Sequence, residues 1–162
     1  VFLDADSYSD ELGEFIPMVD VFVASEFVYD AMFEGRDYEA SCRRVMERGP
    51  EIVVFTFGEK GCVGLSAEGY FELPAYQVEV VDTVGAGDVY HGAFLAGLLQ
   101  GWTVEKTAQF SSAVSAIKCT RIGGRAAIPD METVKDFMET GEINYTEIDR
   151  RVEFYKRGID HV

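Results

Sequence analysis

The residues from Val81 to Phe94 run V-D-T-V-G-A-G-D-V-Y-H-G-A-F. Gly85 and Gly87 let the backbone turn sharply and come close to a ligand. The apolar run that follows reads as a helix, and the first N–H groups of a helix have no partner within it. Gly85, Ala86, Gly87 and Asp88 can therefore direct several N–H donors at one anion, with the helix dipole adding to the attraction. A carboxylate at this place opposes simple anion binding. Asp88 makes sense if a neutral hydroxyl is held beside a transferring phosphoryl group. The carboxylate then orients the hydroxyl and takes its proton, while the backbone donors stabilise the equatorial oxygens. A helix-capping aspartate accounts for Asp88 equally well, and physical reasoning alone leaves both readings open.

The elements that must position this segment are legible in outline. Val1 to Ala5 reads as a short buried strand, Tyr8 to Val19 as a helix ending near Pro17, and Asp20 to Ser25 as a second apolar strand. Ser25 is placed to cap the next helix, with Glu26 in its first turn. Asp37 to Arg48 reads as a helix closed by Gly49 and Pro50. Ile52 to Phe57 has the length and β-branched content of a strand in a parallel sheet covered on both faces. Cys62 to Ser66 and Gly69 to Leu73 form an expected hairpin about Ala67-Glu68. Gln77 to Val81 reads as a further extended stretch ending at Asp82-Thr83. Two helices follow, to about Leu99 and from Thr103 to about Lys118, with Gly101 between them as a C-terminal signal. Pro129 precedes a last packed helix, Met131 to Met138, and a charged tail runs from Gly141. The alternation of helices and strands predicts one α/β domain with an antiparallel hairpin at one sheet edge.

With 162 residues, 48% of them apolar and 27% charged, the chain has the composition of a globular domain. Its formal charge of -15 repels nucleic acid backbones and anionic membrane surfaces, so neither is an expected partner. Such a charge leaves a nucleotide ligand open, because backbone N–H groups hold phosphates without a basic surface. Cys42, Cys62 and Cys119 lack close spacing and read as reduced thiols of a cytoplasmic protein, with only His91 and His161 available to assist a reactive one. No pair of residues has zinc-ligand spacing.

The segment around Asp88 closely resembles the C-terminal signature of the ribokinase-like (PfkB) carbohydrate kinases, DTxGAGDxF or DTxGAGDxY. Asp82, Thr83, Gly85, Ala86, Gly87, Asp88 and Tyr90 all match. Thr56-Phe-Gly-Glu-Lys-Gly61 resembles the family's T-x-G-x-x-G loop after a buried strand. The resemblance covers about Val1 to Met138. It implies a three-layer α/β/α sandwich with a mostly parallel sheet, and ATP-dependent phosphotransfer to an alcohol group of a sugar or sugar derivative. Asp88 would be the base and the backbone of Gly85, Ala86 and Gly87 the anion hole. It further implies that Thr56, Gly58, Lys60 and Gly61 lie near the ATP phosphates or ribose. Ser112, Ala113, Ala116, Arg121 and Gly124 would flank adenine. Mg2+ would arrive with ATP, and K+ is a candidate ion at Asp82 and the Val84 carbonyl. Plainer readings stand beside these: a hydrogen-bonded strand end for Asp82, an exposed turn for Lys60, a helix-end arginine for Arg121. His91, three residues after Asp88, either approaches the acceptor or packs near the pocket mouth.

Two departures from the pattern matter. Many members carry N-x-x-E where this chain has Ser25 and Val28, which alters the expected magnesium arrangement. Whole members are about twice as long, and the half that holds the sugar and a β lid is not visible here. Residues 1–140 are thus expected to be the C-terminal portion of a kinase domain and 141–162 a charged tail, with further chain before Val1. The isolated portion is expected to be inactive, and homodimerisation, common among members, stays open. A nucleotide-binding regulatory or assembly module without catalysis is the alternative. A dinucleotide-binding dehydrogenase fits poorly, since no GxGxxG follows the first strand.

Overall fold

A computed structural model describes residues 1–159. The chain divides into two compact units, Val1–Ala75 with Thr103–Glu105, and Tyr76–Trp102 with Lys106 onward.

The first unit holds all the strands of the described residues: β1 (Phe2–Ala5), β2 (Val21–Ser25), β3 (Ile52–Thr56), β4 (Cys62–Ser66) and β5 (Gly69–Leu73), ordered β1-β2-β3-β4-β5. β1, β2 and β3 pair in parallel, with Ala24 opposite Phe55, and β4 and β5 add antiparallel at one edge. Three short helices connect them: α1 (Asp10–Phe15), α2 (Glu26–Met32) and α3 (Tyr38–Met46). The central residues of β2 and β3 are wholly buried, as their unbroken apolar runs require. β3 is parallel on one side only, because the turn at Gly58–Lys60 folds β4 straight back onto it. Gly61 makes that turn possible. It has φ +102, and a Cβ there would lie 1.9 Å from the Leu73 carbonyl oxygen.

Several expectations need correction. β1 is an edge strand in which only Ala5 is buried, since Asp4 is exposed and no strand of the described residues pairs with its outer side. The helix expected over Tyr8 to Val19 is α1 followed by a 3₁₀ turn at Ile16–Met18, because Pro17 cannot donate to the α-helical ladder. Ser25 stands at the N-cap of α2, yet its hydroxyl donates to the Asp6 carbonyl at 3.1 Å instead of capping.

Tyr29 on α2 organises the core of this unit. Its ring is fully buried and lies 5.1–5.4 Å from Phe33, Tyr38, Phe55 and Phe57. The hydroxyl meets Ser41 Oγ at 3.0 Å and donates to the Gly35 carbonyl at 3.3 Å, so its polar end is satisfied.

The second unit is helical: α4 (Ala86–Leu99), the body of α5 (Val104–Cys119), α6 (Met131–Thr140) and α7 (Thr146–Ile159). α4 and α5 pack closely, and a Cβ on Gly97 would meet Thr107 Cγ2 at 2.8 Å. Asp130 caps α6 by accepting from Thr133 N at 2.8 Å. The segment read as a charged tail contains α7, whose Ile148 and Val152 are buried in the same cluster as Val114, Val134 and Phe137. An apolar stripe among many charges escaped notice because the charges dominate its composition. Gln77 to Val81 is not a strand. The N–H groups of Val81 and Asp82 instead donate to the Cys119 carbonyl at 2.8 and 3.1 Å.

All three cysteines are free and buried, and burial pushes the Cys42 thiol up to about 12. His161 lies outside the described residues. No described helix is long and apolar enough to cross a membrane.

Replacing Tyr29 by Ala is expected to destabilise the first unit by about 3–5 kcal/mol, and Tyr29→Phe by about 1 kcal/mol. Urea unfolding followed by circular dichroism measures both. Equal losses would show that the hydroxyl, not the ring, carries the core.

Candidate active site

The anion-binding segment is shaped by what grips it on either side. Asp82 Oδ1 accepts from Val84 N at 2.9 Å and Oδ2 from Gly123 N at 2.7 Å. These two bonds, Gly123 first and Val84 next, hold the Asp82 carboxyl below the ordinary carboxylate range, with a smaller contribution from the charge of Lys118. The Lys118 side chain is fully buried, and its Nζ donates to the Asp82 carbonyl at 2.8 Å. Cys119, next in α5, accepts the N–H groups of Val81 and Asp82. Ser115 Oγ, one turn earlier, donates to the Ala86 carbonyl at 2.9 Å. The C-terminal end of α5 thus fixes the path of residues 81–86.

Gly85 follows in the left-handed region, φ 74 and ψ 12, as N-cap of α4. A Cβ there would stand 3.0 Å from the Gly124 carbonyl oxygen, so both backbone conformation and space demand glycine. Ala86 N donates to the Thr83 carbonyl at 3.0 Å, so that amide is engaged within the turn. The Gly87 and Asp88 N–H groups stand at the open start of α4, where a helix offers donors to an anion.

Asp88 is exposed and lines a cleft of about 780 Å³ within the second unit. Val84, Gly85 and Gly124 share its rim, with Arg125, Ile128, Pro129 and Asp130 from the following loop. Its floor is α4 at Asp88, Gly92 and Ala96, one residue per turn, and α5 at Phe110 and Val114. Small residues in that α4 row leave the room a ligand would fill. The D-x₃-G-x₃-A spacing is a signal in the sequence that the reading above did not use. Arg125, a basic residue in the cleft lining, stands in a loop whose glycines dominate its sequence pattern.

Other expected residues lie elsewhere. Arg121 donates Nε to Asp149 Oδ1 at 2.6 Å and stacks 3.9 Å over the Tyr145 ring, and Asp149 raises its pKa. It is not among the cleft residues, and neither are Ser112, Ala113 and Ala116. Ala113 is fully buried, because the α5 face toward the cleft runs through Phe110 and Val114. His91 is buried with its ring 6.0 Å from that of Tyr90, not at the cleft mouth.

Thr56, Gly58, Lys60 and Gly61 belong to the first unit. Thr56 Oγ1 donates to the Ala24 carbonyl at 3.4 Å, and exposed Lys60 pairs with Glu26 at 2.7 Å. Val28 is fully buried, while Glu26 also faces Arg36 at 3.6 Å. Among the described residues no group of three or more His, Cys, Asp or Glu side chains could hold a metal ion.

Asp82→Asn sets an N–H donor against one of the two backbone N–H groups. A carboxyl whose folded pKa lies below its unfolded value stabilises above about pH 4 and loses that effect as pH falls through the folded value. The variant is therefore expected to melt below the wild type at neutral pH, with the gap closing below about pH 4. A gap that is constant across pH in calorimetric melts would contradict this role.

Known proteins resemble this chain in sequence and in fold. The model of the pfkB family carbohydrate kinases matches residues 1–131. The ATP-dependent 6-phosphofructokinase of Thermoanaerobacterium thermosaccharolyticum is 31% identical over 124 residues, covering 76% of this chain and 38% of that enzyme. The ribokinase of Thermotoga maritima superposes with a TM-score of 0.71 at 27% identity, over 86% of this chain and 49% of that one. A candidate ribokinase II from E. coli, solved with ATP and Mg2+, gives 0.72 at 26% identity, over 80% of this chain and 42% of that one. The chain therefore spans less than half the length of these relatives. Its fold is their ribokinase-like three-layer α/β/α sandwich, with parallel strands and an antiparallel edge, and the chain belongs to the pfkB family of carbohydrate kinases.

Proposed function

We propose that these residues form the ATP-binding, phosphotransfer portion of a kinase acting on an alcohol group of a sugar or sugar derivative. The observation that carries this reading is Asp88, exposed in a cleft beside the open amides of α4 and three residues after left-handed Gly85. ATP would set its terminal phosphoryl group against the N–H groups of Gly85, Gly87 and Asp88. The acceptor hydroxyl oxygen attacks the γ-phosphorus, the bond to the β–γ bridging oxygen breaks, ADP leaves, and the hydroxyl proton passes to the Asp88 carboxylate. Asp88 suits this step without a special pKa, because the hydroxyl acidifies as its bond to phosphorus forms. The apolar wall of Phe110, Val114, Ile128 and Val134 gives a planar base a surface to lie on. Mg2+ would be held chiefly by phosphates and water. A cytoplasmic location is part of this reading.

A second reading rests on two positions. Val28 is sealed in the core and the Ser25 hydroxyl is engaged by Asp6, so neither can act as the Asn or Glu of N-x-x-E. This suits a nucleotide-binding module without catalysis.

One titration and one rate separate them. Trp102, the only tryptophan, sits 5.1 Å edge-on to Phe110, a residue of the cleft floor, and its fluorescence is the expected reporter of MgATP binding. Asp88→Asn is expected to bind MgATP as tightly as the wild type or more so, since it removes a negative charge beside the phosphate. In a polypeptide joining these residues to a sugar-binding half, the same change is expected to slow sugar-dependent ADP formation by about 10²–10⁴-fold. This chain alone is expected to show no such activity, because one side of the site stays open to water. Unaltered turnover by Asp88→Asn would overturn the catalytic role, and tight MgATP binding with no turnover in the joined polypeptide would favour the module.

A further inference from the structure

A buried lysine calls for an explanation, because an ammonium taken out of water is costly unless something nearby requires the charge. Lys118 has no exposed surface, and its Nζ reaches the Asp82 carbonyl at 2.8 Å. That carbonyl belongs to the residue at which a monovalent cation is expected from the family resemblance, together with Val84. The fit of such an ion can be judged from this chain's own atoms. One Asp82 carboxylate oxygen is taken by Val84 N and the other by Gly123 N, and the main-chain oxygen is taken by an ammonium. A potassium ion placed at Asp82 would meet the Lys118 ammonium at the main-chain oxygen and would share both carboxylate oxygens with backbone N–H donors. The residues present do not suit the ion.

We propose that Lys118 is a built-in replacement for the monovalent cation, and that this chain forms its anion-binding turn without K+. The ammonium does what a bound cation would do at this spot. It draws the Asp82 carbonyl toward the end of α5, adds a weaker attraction to the adjacent carboxylate, and holds the 83–88 turn in place for phosphate. Its place in the last turn of α5 also suits the negative end of the helix dipole. Lys118 is a positioning residue here: it touches neither nucleotide nor acceptor and acts through Asp82. The proposal rests on the phosphate-binding reading of residues 85–88, but its first readout does not.

Thermal melts of this chain in KCl and in tetramethylammonium chloride, at equal ionic strength, give that readout. An ion that binds only the folded state raises the midpoint. The wild type is expected to melt at the same temperature in both salts, and titration with Tl+, a K+ surrogate visible by thallium NMR, is expected to give no saturable bound signal. A midpoint that rises with K+, or a bound thallium resonance, would overturn the proposal without any variant. Lys118→Met keeps the apolar stem and removes the charge. It is expected to melt lower in tetramethylammonium, to regain stability with K+ or NH4+, and to show the same pattern in MgATP affinity, about tenfold weaker without the ion. A loss that K+ and NH4+ do not repair would mean that Lys118 is merely structural and would also overturn the proposal. If neither protein binds MgATP, the kinase reading fails while the melts and thallium titration still decide the question of the cation.

Discussion

A carboxylate has two oxygens, and at Asp82 each one holds a backbone N–H from a different loop. Val84 N lies two residues ahead in the same turn, and Gly123 N lies 41 residues away at the far end of α5. That single side chain therefore joins the turn that opens α4 to the loop that follows α5. Everything proposed for the site depends on this junction. Gly85 meets the Gly124 backbone because of it, and the α4 amides are aimed where Asp88 and the cleft are. Hydrogen bonds to an ionised acceptor are the stronger kind, so a rigid turn can be built from few residues.

Helix α5 acts as the template for this arrangement. Ser115, Lys118 and Cys119 occupy its last turns and grip three successive parts of the approaching chain: the Ala86 carbonyl, the Asp82 carbonyl and the Val81 and Asp82 amides. The grip needs α4 and α5 to be close, which Gly97 against Thr107 allows. The same run of small residues that permits close packing at Gly97 continues through Gly92 and Ala96 on the cleft side, where it leaves space instead. One helix thus satisfies opposite requirements on two of its faces, which is why it shows no simple division into apolar and polar stripes.

The turn that opens α4 was legible because glycines at 85 and 87 before an apolar run mark a sharp turn into a helix. The hairpin, the buried strands β2 and β3, and helices α3 to α6 were legible from local pattern. What escaped were features decided at long range. Gln77 to Val81 has strand-like residues, but its amides find the Cys119 carbonyl instead of a neighbouring strand. α7 has so many charges that its few buried positions, Ile148 and Val152, are hard to see without the partners that bury them. Lys118 reads as an ordinary helix-end lysine, and only the fold reveals that its head is enclosed. Arg121 was open to two readings, a neighbour of the nucleotide or a helix-end arginine, and Asp149 of α7 with Tyr145 just before that helix hold its side chain.

The most direct test of the central claim, that residues 85–88 form the phosphate cradle, is the backbone amide spectrum of the isotope-labelled chain with and without MgATP. The amides of Gly85, Gly87 and Asp88 are predicted to shift downfield as they donate to phosphate oxygens, and AMP, which lacks the β- and γ-phosphates, is predicted to leave them in place. Saturable MgATP binding that leaves these three amides unmoved would contradict the account.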